Sequence, residues 1–99
     1  MKKDLDHFNV MRKIKSKPNS SQRVLAGELG FSLGKLNYCL RALKYKGFIK
    51  MNNFKKNPNK VNYIYVLTPK GIVEKTKLTI NFMKRKISEY DELKSELKK

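Results

Sequence analysis

Residues 20–47, SSQRVLAGELGFSLGKLNYCLRALKYKG, decide the fold. Ser21 is a good N-cap for a helix over Gln22–Leu29, whose Val24, Leu25 and Leu29 are spaced to face inward. Gly30 suits the left-handed position that closes a helix. Ser32 can then cap a second helix, Leu33–Lys46, with an inward stripe of Leu36, Leu40 and Leu43 and with Cys39 beside it. The opposite face carries Gly34, Lys35, Asn37, Tyr38, Arg41 and Tyr45, and Gly47 ends the helix. Two helices joined by so short a turn make a helix-turn-helix.

The flanks complete the plan. Met1–Lys3 reads as a frayed end. Asp4–Lys15 reads as a helix with Leu5, Phe8, Met11 and Ile14 on one face, and Lys17-Pro18-Asn19-Ser20 breaks it. Downstream, Phe48–Phe54 and Val61–Thr68 are rich in β-branched and aromatic residues and read as paired strands. The loop between them is Lys55-Lys56-Asn57-Pro58-Asn59-Lys60. Thr68-Pro69 is a helix start, with Thr as N-cap and Pro at the first helical position. The apolar spacing then continues to about Leu97, roughly 40 Å at 1.5 Å per residue. The expected fold is mainly helical with a β-hairpin wing, a winged helix-turn-helix with a long C-terminal helix. Residues 1–68 form the DNA-binding domain of that plan, and 69–99 its dimerisation helix.

Charge points to the partner. The chain has 99 residues, enough for one domain, and a formal charge of +16. Residues 1–68 hold fifteen basic and three acidic side chains, whereas 69–99 hold nine and five. No Asp or Glu lies between Glu28 and Glu74, a stretch with nine lysines and arginines. Solvated surfaces interleave both signs, so a one-sign stretch calls for an anionic partner. On this architecture the partner of matching shape is the DNA duplex, whose major groove admits one helix. No apolar run approaches the roughly 18 residues that would span a membrane. Met1–Lys17 lacks the continuous apolar core of a signal peptide, and a single cysteine suits a reducing compartment, so a cytoplasmic protein is expected.

The residues expected at DNA follow from their positions. Ser32, Gly34, Lys35, Asn37, Tyr38 and Arg41 lie early on the exposed face of the second helix of the motif. Arg41 can read guanine and Asn37 adenine through bidentate bonds, and Gly34 lets the backbone come close. Lys44 and Lys46 suit phosphates. Gln22 and Arg23 sit where helix N–H groups commonly hold a phosphate. Lys55, Lys56, Asn57, Asn59 and Lys60 form a wing tip for the backbone or the minor groove. Any one exposed cation is ordinarily just a solvated side chain. The whole set together, on this architecture and without acids, is what calls for DNA. Tyr38 and Tyr45 fit equally well against the hairpin or against DNA.

The last helix needs a partner of its own. Ile80, Met83, Ile87, Tyr90 and Leu97 follow 3/4 spacing, with Leu93 adjacent, and a 68-residue domain cannot cover a stripe of that length. A second copy would bury it and bring two recognition helices about one DNA turn apart. The other possibility is a helix that folds back on its own domain. Phe82 and Leu78 lie off the main stripe, placed to meet the first helix.

The run SSQRVLAGELGFSLGKLNYCLRALKYKGFIK, followed by YVLTPKGIVEKTKLTINFMKRKISEY, resembles the small MarR-type winged-helix regulators, especially a subgroup associated with exopolysaccharide gene clusters. The resemblance covers roughly residues 8–95, and LGKLNYCLRALKYKG and LTPKGI are its most specific segments. It implies a bacterial, homodimeric transcriptional regulator with its recognition helix in the major groove. The wing departs from the Asp-x-Arg element usual in that family, and the chain is shorter than a full MarR protomer.

Other signals are weak. Cys39 sits beside an inward stripe and reads as a buried, inert thiol. His7 is alone, without ligand spacing, so neither a metal nor a cofactor is expected. Ser32-Leu33-Gly34-Lys35 matches an acylase motif without its companions, and a capping serine explains it better. No acid, base and nucleophile come together, so no enzyme is expected. Two alternatives to a sequence-specific DNA regulator stay open. One is a protein-interaction or assembly module whose basic face meets an acidic partner, and the other is non-specific nucleic-acid binding. Nothing in the sequence marks a small-molecule effector.

Overall fold

The computed structural model describes residues 2–52 and 64–98. Its elements are α1 (Lys2–Ser16), α2 (Gln22–Leu29), α3 (Leu33–Tyr45), β1 (Ile49–Asn52), β2 (Ile64–Leu67) and α4 (Pro69–Leu97). The fold is the expected one, mainly helical with a two-stranded antiparallel hairpin and a long C-terminal helix.

The caps set the boundaries. Ser21 Oγ accepts from Val24 N at 3.3 Å, and Ser32 Oγ accepts from Lys35 N at 3.1 Å. Gly30 closes α2 at φ 68°, and Gly47 follows α3 at φ 78°, both left-handed positions that a side chain would strain. α3 ends at Tyr45, one residue short of the expected Lys46, which is its C-cap. α1 runs longer than the expected Asp4–Lys15 at both ends. β1 and β2 pair from Ile49 opposite Leu67 to Asn52 opposite Ile64. Phe48 and Thr68 lie outside the strands because they form the corner described next. The expected strand residues 53–54 and 61–63 lie outside the described residues.

That corner locks α4 to the domain. Thr68 Oγ1 donates to the Gly47 carbonyl at 2.5 Å and accepts from Gly71 N at 3.0 Å. Thr68 N donates to the Phe48 carbonyl at 3.0 Å. A Cβ on Gly71 would collide with the Phe48 carbonyl, so the first turn of α4 can lie on this backbone only without a side chain there.

The core is the meeting of α1, α2, α3 and β1. Val10, Met11, Ile14, Leu25, Ala26, Leu36, Cys39, Leu40, Leu43 and Ile49 form one buried cluster. Two expected inward residues are not there: Leu5 and Val24 are 43% and 48% exposed. Ala26 takes the inward place in α2, while Val10 and His7 widen the buried arc of α1, which touches α2, α3, β2 and α4. Phe82 of α4 stacks on Phe8 of α1 with centroids 4.9 Å apart, and Leu78 leans on the core. Past Ile87 every described residue of α4 is exposed, and the molecule measures 63 Å along its longest axis. No helix among the described residues is long and apolar enough to cross a membrane.

Candidate nucleic-acid interface

α3 owes its polar face to its buried one. Leu36, Cys39, Leu40 and Leu43 all point into the core, which turns the intervening side chains outward at helical spacing. Gly34, Lys35, Asn37, Tyr38, Arg41, Lys44 and Tyr45 are all exposed, as is the capping Ser32. Tyr45 is 93% and Tyr38 60% exposed, so neither settles into the hairpin. Nothing lies within 4 Å of a Cβ built on Gly34, which leaves this first turn open to approach.

The charges on this face differ in freedom. Lys35 Nζ pairs with Asp6 Oδ2 of α1 at 3.3 Å and lies 4.2 Å from the centre of the Phe31 ring. It is therefore held in place, and Asp6 offsets part of its charge. No acid among the described residues pairs with Arg41 or Lys44. Arg23 is exposed at the start of α2. Its neighbour Gln22 turns sideways, and Nε2 donates to Tyr65 Oη of β2 at 3.1 Å. That bond ties the helix-turn-helix to the hairpin across 43 residues of sequence. The wing-tip residues Lys55, Lys56, Asn57, Asn59 and Lys60 lie outside the described residues.

Two acids pair with lysines distant from them in sequence. Asp6 holds Lys35, and Glu28 bridges Lys13 at 3.1 Å and Lys17 at 2.6 Å, joining α2 to α1. The two lysines lower the Glu28 carboxyl pKa by hydrogen bonding to it and by their charge. A charge count along the chain cannot show that Asp6 and Glu28 face lysines. Burial raises the pKa of the Cys39 thiol, as does the Asp6 carboxylate, which suits a structural cysteine rather than a nucleophile. Among the described residues no group of His, Cys, Asp and Glu is arranged to hold a metal ion.

Residues 7–50 match the family described as winged helix-turn-helix DNA-binding. No curated protein matches the chain. Its fold is similar to that of the transcriptional repressor CouR bound to a 23-mer DNA duplex. That likeness has a TM-score of 0.76 and 22% identity over 87% of this chain and 59% of the other. A mutant MarR of E. coli complexed with operator DNA is 26% identical over 74% of this chain and 51% of its own, with a TM-score of 0.65. A zinc-responsive MarR family member of Lactococcus lactis is 20% identical over 88% and 58%, with a TM-score of 0.67. The chain spans slightly more than half the length of these structures. The chain thus carries a winged helix-turn-helix domain, and its structural neighbours include MarR-family regulators.

Proposed function

We propose that this chain is a sequence-specific, duplex-DNA-binding transcriptional regulator that acts as a homodimer. α3 enters the major groove, with Asn37 and Arg41 at base edges and Gly34 against the backbone. Lys44 and Arg23 neutralise phosphates, Lys35 and Tyr38 flank the reading residues, and the lysines of the wing follow the backbone or the minor groove. The observation that carries this reading is the exposed face of α3. It is polar and basic, without a single acid, and it is turned outward by four buried residues on the other side of the same helix. The solved neighbours bound to DNA support it. The reading makes the chain a cytoplasmic bacterial protein with no catalytic role. The resemblance carried by residues 20–50 and 65–90 supports a finer assignment, to the small MarR-type subgroup associated with exopolysaccharide gene clusters.

Fluorescence anisotropy tests it, with the duplex upstream of the chain's own gene against a shuffled copy across a salt series. The expected preference is on the order of 10³ and survives physiological salt. Arg41→Ala should cost about 1–3 kcal/mol at one base position and relax the preference there. Lys44→Ala should weaken all duplexes alike and reduce the salt slope by about 1. Equal binding to both duplexes that vanishes as salt rises would leave only non-specific attraction.

A further inference from the structure

The groove between α1 and α4 and the distal stripe of α4 form one continuous apolar surface. Leu5, Phe8, Phe82, Met83 and Ile87 line the groove, whose volume is about 510 Å³. Arg12, Lys75 and Lys86 line it as well and bring positive charge. Met83 and Ile87 also belong to the stripe that continues through Tyr90, Leu93 and Leu97, all more than half exposed. The charge along this part of the helix is divided. Residues 80–88 (INFMKRKIS) carry three positive charges and no acid. Residues 89–97 (EYDELKSEL) carry four acids and one lysine.

We infer that two copies pair antiparallel through the distal half of α4, so that residues 89–97 of each lie in the α1–α4 groove of the other. This deepens the homodimer reading above and rests on it. An antiparallel pair with its two-fold axis beside Ser88 faces each block of +3 with a block of −3. A parallel pair would stack like upon like at both ends. The apolar spacing agrees with the charge. Around that axis Ile87 meets the partner's Tyr90, and Ile80 meets the partner's Leu97, as facing core positions of a coiled coil do. Lys84 then lies beside the partner's Asp91, twice by symmetry. The spacing also suits DNA. Gly71, Leu78 and Phe82, which fasten α4 to the domain, lie on average between eleven and twelve residues from the axis. Two domains related by that axis are therefore roughly 35 Å apart at 1.5 Å per residue. Half-sites in neighbouring major grooves are separated by about 34–36 Å.

Spin labels on the full chain decide the direction. Ser88 and Ser95 are both exposed and lie on the same outward face of α4, so Ser88→Cys and Ser95→Cys disturb neither pairing. The unsubstituted chain, with its single buried Cys39, is the labelling control. Antiparallel pairing puts the two Ser88 labels side by side and offsets the Ser95 labels by about 20 Å along the helices. It also requires the dimer to weaken as salt rises, because opposite charges face one another. Equal, short separations at both positions, with a dimer that tightens in salt, would overturn the inference and leave the dimer standing. Dipolar coupling at neither position, in a chain that sediments as a monomer, would remove the dimer itself and this inference with it.

Discussion

The core of the three-helix domain and the distal half of α4 share one sequence pattern and have opposite fates. Met11, Leu25, Leu36, Leu40 and Leu43 recur at helical spacing and are at most 2% exposed. Ile80, Met83, Ile87, Tyr90, Leu93 and Leu97 recur at similar spacing and are 48–88% exposed. Apolar periodicity therefore says that a face will be covered, not what covers it. In the domain the cover comes from α1, α2, α3 and β1 of the same chain. On α4 no described residue supplies one, and the stripe is the surface proposed above to meet a second copy.

The sharpest contrast comes from deleting the same chemistry in both places. Leu40→Ala removes a fully packed side chain from the centre of the core. It should cost about 2–5 kcal/mol, read from the midpoint of urea unfolding. A cost below 1 kcal/mol would mean that the core is looser than its burial indicates.

The junction between the two regions should be nearly as sensitive. Gly71→Ala forces a methyl group against the Phe48 carbonyl, and backbone on both sides must shift to admit it. Overpacking of this kind costs about 1–3 kcal/mol. Amide exchange at position 71 and at Ile72 should rise more than that of Leu40, because the strain loosens the first turn of α4 before it reaches the core.

Much of this was legible in the sequence where a short-range signal sets the outcome. Ser21 with Gly30 fixes both ends of α2, and Thr68-Pro69 fixes the start of α4. The exposed face of α3 follows from its leucines. What could not be read depends on groups distant in sequence. The Gln22–Tyr65 bond, the Asp6–Lys35 pair and the need for glycine at 71 arise only when elements meet. Val24 shows the limit of spacing in an eight-residue helix. Two adjacent faces fit the same pattern, and the small Ala26 allows closer packing than Val24 would.

A smaller effect comes from His7, the one buried polar side chain of the described core. Its Nε2 has no hydrogen-bond partner among the described residues. Burial lowers its pKa below the ordinary 6.5, and Lys46 and Lys3 lower it further, while Asp4 and Asp6 oppose them. The unfolded chain thus binds the proton more readily than the folded one. Stability from this group is whole above 6.5, falls as pH drops through 6.5, and levels off below the lowered folded value. Unfolding midpoints at pH 7.5 and 5.5 should differ by less in His7→Leu than in the parent chain. An unchanged difference would assign the acid sensitivity to other groups.

The smallest effect is the one that tests the comparison most directly. Ile87→Ser removes from α4 a side chain of core type at a position 55% exposed in the single chain. In protein dilute enough to be monomeric, its unfolding free energy should stay within about 0.5 kcal/mol of the parent, as for an ordinary surface substitution. A loss near the Leu40→Ala value would show that α4 is covered by its own domain. In concentrated protein the two chains should diverge. Self-association that favours the folded state raises the melting temperature of the parent with concentration. Ile87→Ser should flatten that rise and shift sedimentation toward the monomer, while the domain keeps its fold. The same apolar spacing would then be shown to stabilise one region from within the chain and the other only from outside it.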